Sequence, residues 1–271
     1  MPRISGLFLY PVKSLRGFAV PSIDLDSLGF VGDRRFMVVD SAGRFLTQRT
    51  LPRMASIEAS LAPGLLTLSV DGSGPISVST APDPRAPLRA VSVWKSEGLQ
   101  AEDCGDAVAG WLSDFLKTPC RLVRIGEKFL RPMLKATARP GDAVAFADAF
   151  PLLVISEASL ADLNDRIQEN GGEPVPMNRF RPSIVVSGCE AFAEDTWRRI
   201  RVGAVTLRAG GPCARCVVTT TDQVTGERLG PEPLRTLAAY RRAAADPTDV
   251  NFGQNFIHET KHGTLRVGDA V

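Results

Sequence analysis

Two of the five cysteines stand three positions apart, in the stretch AGGPCARCVVTTTD at residues 209–222. Thiolates are soft ligands and good nucleophiles, so Cys213 and Cys216 are candidates for metal binding or redox chemistry. A structural zinc site needs four Cys or His ligands, usually as two closely spaced pairs. The histidines His258 and His262 fall in IHETKHG, where we expect a strand to run into a turn with no helix to align them. Zinc is therefore a numerically possible alternative without a clear second ligand pair.

A redox dithiol is the second alternative for the cysteine pair. Dithiols of the thioredoxin type normally open a helix, whose N-terminus stabilises the thiolate. Cys216 is followed instead by VVTTT, a β-branched run that predicts a strand. A third alternative is a pair of small buried side chains beside a turn, because free cysteine is commonly buried. The residues by themselves leave all three open.

Other polar signals stand where strands are predicted to begin or end. LYPVKSLRG places Lys13 and Ser14 just after a strand, GDRRFMVVD opens a strand with Arg34, and NRFRPSIVV opens another with Arg181. Lysine, serine and arginine are suitable hydrogen-bond donors for phosphate oxygens. If these strand ends converge, they could bind an anionic, phosphate-bearing group that has a metal at its other end.

The positions of these residues depend on short extended segments and a few helices. Residues 3–95 read as short strands separated by Gly, Pro, Asp and Ser, which is typical of a meandering sheet or barrel. Helices are predicted over 104–117, after Ser156 as an N-cap, and over about 232–245. Further strands are predicted in RLVRI, SIVVSG, IRVGAVTLRAG, CVVTTTD and LRVGDAV. The sequence thus predicts a β-rich α+β protein in which three helices decorate a sheet or barrel.

Composition excludes several classes of protein. With 44% hydrophobic and 23% charged residues the 271-residue chain is globular rather than disordered. Lys and Arg total 32 against 30 for Asp and Glu, with no block of like charges, so we expect no duplex nucleic acid as a partner. The excess of Arg over Lys is compatible with a small-molecule, anionic ligand. No apolar run approaches the roughly 20 residues of a membrane-spanning helix, so we expect no membrane partner. The odd cysteine number and the lack of a signal peptide after Met1 predict a cytoplasmic protein.

Six motifs in a fixed order resemble one known family: LYPVKSLRG, GDRRFMVVDSAGRFLTQR, AEDCGDAVAGWLSDFL, LLVISEASLADLN, NRFRPSIVVSGCEAFAEDTWRRIRVG and PCARCVVTTTD. They look like the MOSC family with its N-terminal β-barrel domain, the group that includes the mitochondrial amidoxime-reducing component and its bacterial relatives. The resemblance extends from about residue 3 to LRVGDAV at the end of the chain. It implies a MOSC N-terminal β-barrel domain over 1–120 and a MOSC β-barrel domain over 121–271.

The resemblance implies a molybdenum cofactor, in which a pterin dithiolene holds molybdenum and a protein cysteine supplies a further sulfur ligand. In the family pattern this ligand is the second cysteine of C-x-x-C, which is Cys216 here, and Cys213 is a supporting neighbour. The resemblance also implies a shell of cofactor-binding side chains: Lys13, Ser14, Arg34 and Arg181. Relatives often carry a hydroxyl residue between the two cysteines, where this chain has Ala214.

For this family the implied activity is the reductive removal of oxygen from N-hydroxylated compounds such as amidoximes, N-hydroxyguanidines and hydroxylated nucleobases. Some bacterial relatives carry a ferredoxin-like C-terminal domain, which we do not find before Val271. We therefore expect electrons from a separate ferredoxin-, flavin- or cytochrome-type protein. The alternative is a non-catalytic module that carries the cofactor or its sulfur.

Overall fold

Seventeen strands dominate the computed structural model, which describes the whole chain from Met1 to Val271. Many strands alternate buried and exposed side chains, as expected when one face of a sheet packs on a core. The strands in chain order are β1 Arg3–Leu9, β2 Phe18–Val20, β3 Ser22–Asp26, β4 Gly29–Phe30, β5 Phe36–Val39, β6 Glu58–Ala62, β7 Leu65–Val70, β8 Ser73–Ser79, β9 Leu88–Val93, β10 Ser96–Asp103, β11 Arg121–Arg124, β12 Leu152–Ser156, β13 Ile184–Ser187, β14 Arg199–Val202, β15 Val205–Arg215, β16 Val250–His258 and β17 Gly263–Arg266.

The three predicted helices are present, with shifted ends: α1 Asp106–Leu116, α2 Glu157–Glu169 and α3 Leu234–Tyr240. Ser156 is the N-cap of α2, as predicted, because its hydroxyl accepts a hydrogen bond from the Ser159 N–H. Helix α3 ends well before residue 245 because the chain turns back, with Arg242 bridging to Val250. Four short 3-10 helices complete the set: Pro52–Ser56, Met177–Phe180, Ala193–Thr196 and Val217–Thr220.

The predicted strand in CVVTTTD is wrong, since these residues form the 3-10 helix Val217–Thr220. The hydroxyl of Thr219 donates to the carbonyl of Cys216 at 3.0 Å, and the hydroxyl of Thr220 donates to that of Val217 at 2.8 Å. Local side-chain bonds of this kind compete with a sheet ladder and here outweigh the β-branched preference for a strand. The strand-based argument against a redox dithiol at Cys216 is therefore not supported.

The strands form four sheets. The largest has seven strands in the order β14-β15-β16-β12-β13-β1-β2, and β12 and β13 run parallel with α2 as their connection. A four-stranded sheet has the order β5-β11-β10-β9, and two three-stranded sheets have the orders β17-β3-β4 and β6-β7-β8. This architecture confirms the predicted β-rich α+β class.

The two halves of the chain share sheets. Strand β1 pairs with β13, and β3 pairs with β17, so N-terminal strands lie within C-terminal sheets. A core of fifteen buried residues, Phe30 and Phe256 among them, fills the space between the seven-stranded sheet and β3, β4 and β17. The proposed division after residue 120 stays a prediction, although the sheets themselves cross it. None of the helices is long and apolar enough to span a membrane.

Candidate functional site

One cavity of about 550 Å³ is lined by every residue that the sequence nominated for cofactor binding. These residues are Lys13, Ser14, Arg34, Arg181 and Cys216, and Cys213 and Ala214 also face the same space. They come from segments up to about 200 positions apart in the chain. The volume lies within the roughly 300–1,000 Å³ that is usual for small-molecule and cofactor sites.

Sheet topology explains why these strand ends meet. Because β1 and β13 are antiparallel neighbours, the residues after β1 lie beside those before β13, which brings Lys13 towards Arg181. The Arg34 N–H donates to the Tyr10 carbonyl at 2.8 Å, so the segment before β5 is fastened to the end of β1. The Arg34 carbonyl in turn accepts from the Phe146 N–H at 3.0 Å. Three separate segments are thus joined at the cavity wall through the backbone around Arg34.

Backbone strain is concentrated at this cavity. Six residues other than glycine have positive φ, and four of them line the cavity: Ser14, Trp94, Arg34 and Arg181. Their φ values are 67°, 54°, 47° and 55°. The left-handed region costs a residue other than glycine of order 1–3 kcal/mol and tends to occur at functional sites. Three of the four are residues that the family resemblance assigns to the cofactor.

The cavity wall is strongly cationic. Its lining holds one carboxylate, that of Asp148, and eight cationic side chains: Lys13, Arg34, Arg49, Lys95, Arg131, Lys135, Arg181 and Arg215. Burial lowers the pKa of Lys13 below its ordinary value, although the neighbouring Asp148 opposes this. Burial also lowers the pKa of Arg181 and that of Arg131 to about 10. Arg131 and Arg181 stay charged at neutral pH, so the cavity is built to attract an anion.

Tyr10 holds two of these cations together. The guanidinium carbons of Arg34 and Arg181 each lie 4.3 Å from the centroid of its ring. The Tyr10 hydroxyl donates to the Pro182 carbonyl at 3.0 Å, and burial raises its pKa to about 12. The ring is therefore neutral at physiological pH and offers both cations a cation–π contact.

Most donors on Arg34 and Arg181 remain free. Each guanidinium has five N–H groups. One nitrogen of Arg34 bonds to Asp33, and one of Arg181 donates to Oε1 of Gln223 at 3.0 Å. No other protein acceptor reaches either guanidinium, so the remaining donors are available to a ligand in the cavity.

The two cysteines differ in their surroundings. Cys213 Sγ lies 2.9 Å from Nη1 of Arg215, which also donates to the Phe180 carbonyl at 2.6 Å through Nη2. Cys216 directly follows β15 as the N-cap of the 3-10 helix, and both thiols are free. No three Cys, His, Asp or Glu side chains are grouped so as to hold a metal ion. His258 is fully buried at the end of β16 and His262 is exposed, so the zinc alternative gains no support.

Sequence reasoning missed several residues of the site. Tyr10 stands inside LYPVKSLRG, and Arg215 lies between the two cysteines, so both were in motifs already noticed. Asp148 precedes β12 just as Arg181 precedes β13, and these parallel strands start at the same sheet edge. A polar residue shortly before an apolar strand is therefore the sequence signal that identifies Asp148 as a candidate site residue. Trp94 lies between β9 and β10, and no local pattern marks it.

Comparison with known proteins agrees with this architecture. Residues 1–119 match the MOSC N-terminal beta barrel domain, and residues 141–271 match the MOSC domain. Mitochondrial amidoxime-reducing component 1 of Mus musculus is 38% identical over 284 residues, covering 99% of this chain and 81% of that protein. The Homo sapiens protein of the same name is 37% identical, covering 99% and 82%. Mitochondrial amidoxime reducing component 2 of Rattus norvegicus is also 37% identical, with the same coverage. The chain therefore belongs to the family of MOSC-domain proteins with an N-terminal MOSC β-barrel domain that includes the amidoxime-reducing components.

Proposed function

We propose that this protein is a molybdenum-cofactor-dependent oxidoreductase that reduces N-hydroxylated compounds, including amidoximes, N-hydroxyguanidines and hydroxylated nucleobases. The observation that carries the proposal is the joint position of Lys13, Ser14, Arg34, Arg181 and Cys216 on the wall of one cationic cavity. The relatives that are named for amidoxime reduction span nearly the whole chain, which supports the same class of substrate. A separate ferredoxin-, flavin- or cytochrome-type protein would supply the electrons, and a cytoplasmic location remains our prediction.

The donors in the cavity fit a group that carries a phosphate and a pterin. The unused N–H groups of Arg34 and Arg181, with the free donor of Lys13, suit phosphate and pterin oxygens. The buried Nε of Arg215 has no hydrogen-bond partner in the protein, so it is a further donor whose pairing a ligand acceptor would complete. Cys216 would supply a soft sulfur ligand to molybdenum. The residues present therefore fit the implied cofactor.

Each residue then has a definite task. Lys13, Ser14, Arg34 and Arg181 would hold the anionic end of the cofactor, and Tyr10 keeps the two guanidinium groups in place. Arg215 orients the Cys213 thiol and fastens the cysteine loop to the Phe180 carbonyl. When bound, the cofactor supplies two-electron oxygen-atom chemistry, while the protein supplies binding, orientation and access.

Turnover tests this proposal. Protein expressed with molybdate should reduce benzamidoxime to benzamidine with an artificial one-electron donor, and Cys216→Ala should lower the rate per chain by roughly a hundredfold or more because the metal loses its protein ligand. Cys189→Ala is a matched control, since Cys189 is a free cysteine that packs against the core and does not line the cavity. It should leave the rate unchanged.

The same protein separates reductase from carrier. If loaded wild-type protein reduces no N-hydroxylated compound but transfers its cofactor or sulfur to an apoenzyme, the reductase proposal is wrong. The carrier alternative would then be correct, because both functions would use the same binding residues.

A further inference from the structure

Two glutamines from opposite halves of the chain form a buried pair at the cavity wall. Gln48 lies in the turn before the 3-10 helix Pro52–Ser56, and Gln223 lies seven residues after Cys216. Gln48 is fully buried, and Gln223 is 4% exposed. Gln48 lines the cavity, whereas Gln223 does not. Any effect of Gln223 on a ligand must therefore act through another residue.

The two side-chain amides exchange a pair of hydrogen bonds. Nε2 of Gln48 donates to Oε1 of Gln223 at 3.2 Å, and Nε2 of Gln223 donates to Oε1 of Gln48 at 3.0 Å. The second N–H of Gln48 donates to the Ser14 carbonyl at 2.8 Å, and that of Gln223 donates to the Thr221 carbonyl at 3.1 Å. All four amide N–H groups thus have an acceptor, as expected for buried polar groups. Gln48 has no N–H left for an anion in the cavity.

Each end of the pair holds a residue that we propose for the cofactor. The Ser14 carbonyl accepts from Gln48 at one end, and Oε1 of Gln223 accepts from Nη1 of Arg181 at 3.0 Å at the other. Ser14 and Arg181 both have the left-handed backbone, which persists only where surrounding contacts fix it. Nε of Arg16 also donates to the Gln223 carbonyl at 2.9 Å. A continuous chain of hydrogen bonds therefore connects Ser14 to Arg181.

The neutral charge of Gln223 matters for Arg181. Lys13 and Arg34 are each paired with a carboxylate. Arg181 is paired with an amide oxygen instead, which orients the guanidinium without neutralising it. The charge of Arg181 thus remains available to an anionic ligand, because a charge-assisted hydrogen bond is stronger than a neutral one.

Resting on the proposed cofactor site, we infer that Gln48 and Gln223 are positioning residues that hold Ser14 and Arg181 in the relative placement needed to bind one anionic group together. The two amides act as one unit, because each is oriented by the other. Gln223 has the additional role of orienting Arg181 while leaving its charge free for that group. The anion is bound less tightly when either amide is lost.

Binding of inorganic phosphate to the full-length apoprotein, expressed in a host that cannot make the pterin, tests the inference without turnover. Calorimetry gives the dissociation constant of the folded protein, whatever fraction of a variant folds. Gln223→Glu should raise this constant roughly tenfold or more, because the new carboxylate neutralises Arg181 in place of the phosphate. Gln168→Glu is the matched control, since Gln168 is exposed on α2 and does not line the cavity. It should change the constant by less than about twofold.

The coupling of the two amides gives a second readout. Gln48→Met and Gln223→Met keep the side-chain length but remove the amide, and each should raise the phosphate dissociation constant roughly fivefold. The double variant should bind less than about twofold more weakly than either single variant, because the loss of one amide already breaks the chain from Ser14 to Arg181. Two independent roles would instead multiply to about 25-fold.

Loaded protein provides a check in the presence of the cofactor. After dialysis Gln223→Glu should retain less molybdenum per chain than wild type, and Gln168→Glu should retain as much.

Wild-type phosphate affinity in Gln223→Met, single losses that multiply in the double variant, or a wild-type apoprotein that binds no phosphate would each overturn the inference. A protein that shows the expected phosphate constants but reduces no N-hydroxylated compound would contradict the proposed function while supporting the positioning role of the two glutamines.

Discussion

The cationic side chains in the cavity differ in whether a carboxylate of the protein neutralises them. Lys13 is paired with Asp148, and Arg34 is paired with Asp33. Arg181 has no carboxylate partner and bonds only to the neutral amide of Gln223. A charge taken out of water destabilises the fold unless it is paired. An anionic ligand would therefore stabilise the partly buried charge of Arg181, which agrees with its proposed contact to the cofactor.

His258 is a second buried polar residue whose side chain lacks a pairing group. The sequence predicts that a strand runs into a turn here, and the structure places His258 fully buried at the end of β16, where neither ring nitrogen has a hydrogen-bond partner. Burial, helped by the charge of Lys261, lowers its pKa from 6.5 to about 4. Below pH 6.5 the unfolded chain therefore takes up a proton that the folded protein does not bind. The free energy of unfolding should fall as the pH drops from 6.5 towards 4.

His258→Leu should remove this contribution. Measured by denaturant unfolding, the wild type should lose up to about 1.4 kcal/mol per pH unit more than the variant across that interval. His262→Leu is the control, since His262 is exposed, and its pH dependence should match the wild type. Identical pH slopes for wild type and His258→Leu would show that the burial of His258 has no effect on its protonation.

The residues of the site were predictable to different degrees. Lys13, Arg34 and Arg181 stand at predicted strand ends in recognisable motifs. The sequence therefore identifies them as candidate site residues, although it does not show that they lie together. The contacts of Tyr10 and Asp148 depend on partners more than 100 positions away, such as Pro182 for Tyr10 and Lys13 for Asp148. No local pattern encodes such pairings, because they follow from the order of strands in the sheet.

At the scale of elements, the start of α2 is a test of local sequence chemistry. Ser156 is fully buried, its hydroxyl caps the helix at the Ser159 N–H, and its own N–H donates to Oε1 of Glu194 at 3.0 Å. The Ser159 hydroxyl donates to the same carboxylate oxygen at 2.7 Å. The cap thus joins α2 to the 3-10 helix Ala193–Thr196.

Ser156→Ala should lower the free energy of unfolding by about 1–2 kcal/mol, because the cap bond and one link of this buried network are lost. Ser60→Ala, at an exposed position in β6, should change it by less than about 0.5 kcal/mol. Urea unfolding of the two variants measures the difference. A Ser156→Ala protein as stable as wild type would mean that the cap does not stabilise α2.

Elements were predicted well where local chemistry and tertiary packing agree. The cap at Ser156 and the apolar stripe of α1, with Val108, Leu112 and Leu116 buried, are such cases. The segment Val217–Thr220 was predicted as a strand because its residues are β-branched, yet it forms a 3-10 helix. Its threonine hydroxyls donate hydrogen bonds to nearby backbone carbonyls, and the preceding Arg215 donates to the Phe180 carbonyl. These contacts make the chain turn, although β-branched residues favour an extended strand.

At the scale of the whole molecule, the cavity exists only because the two halves of the chain fold together. Strand β1 lies in the seven-stranded sheet beside β13, and Arg34 is bonded to residues on both sides of the predicted boundary at 120, namely Tyr10 and Phe146. Lys13 and Ser14 come from the N-terminal half, whereas Arg181 and Cys216 come from the C-terminal half. Our central claim is that these side chains share one ligand.

The molybdenum content of the purified protein tests this claim most directly. After expression with molybdate, folded wild-type protein should contain about one molybdenum per chain, and Cys216→Ala should lose it while still unfolding in a single cooperative transition. Cys213→Ala should retain most of the metal, because Cys213 is held by Arg215 and is not the proposed ligand. A folded wild-type protein that contains no molybdenum under these conditions would contradict the account.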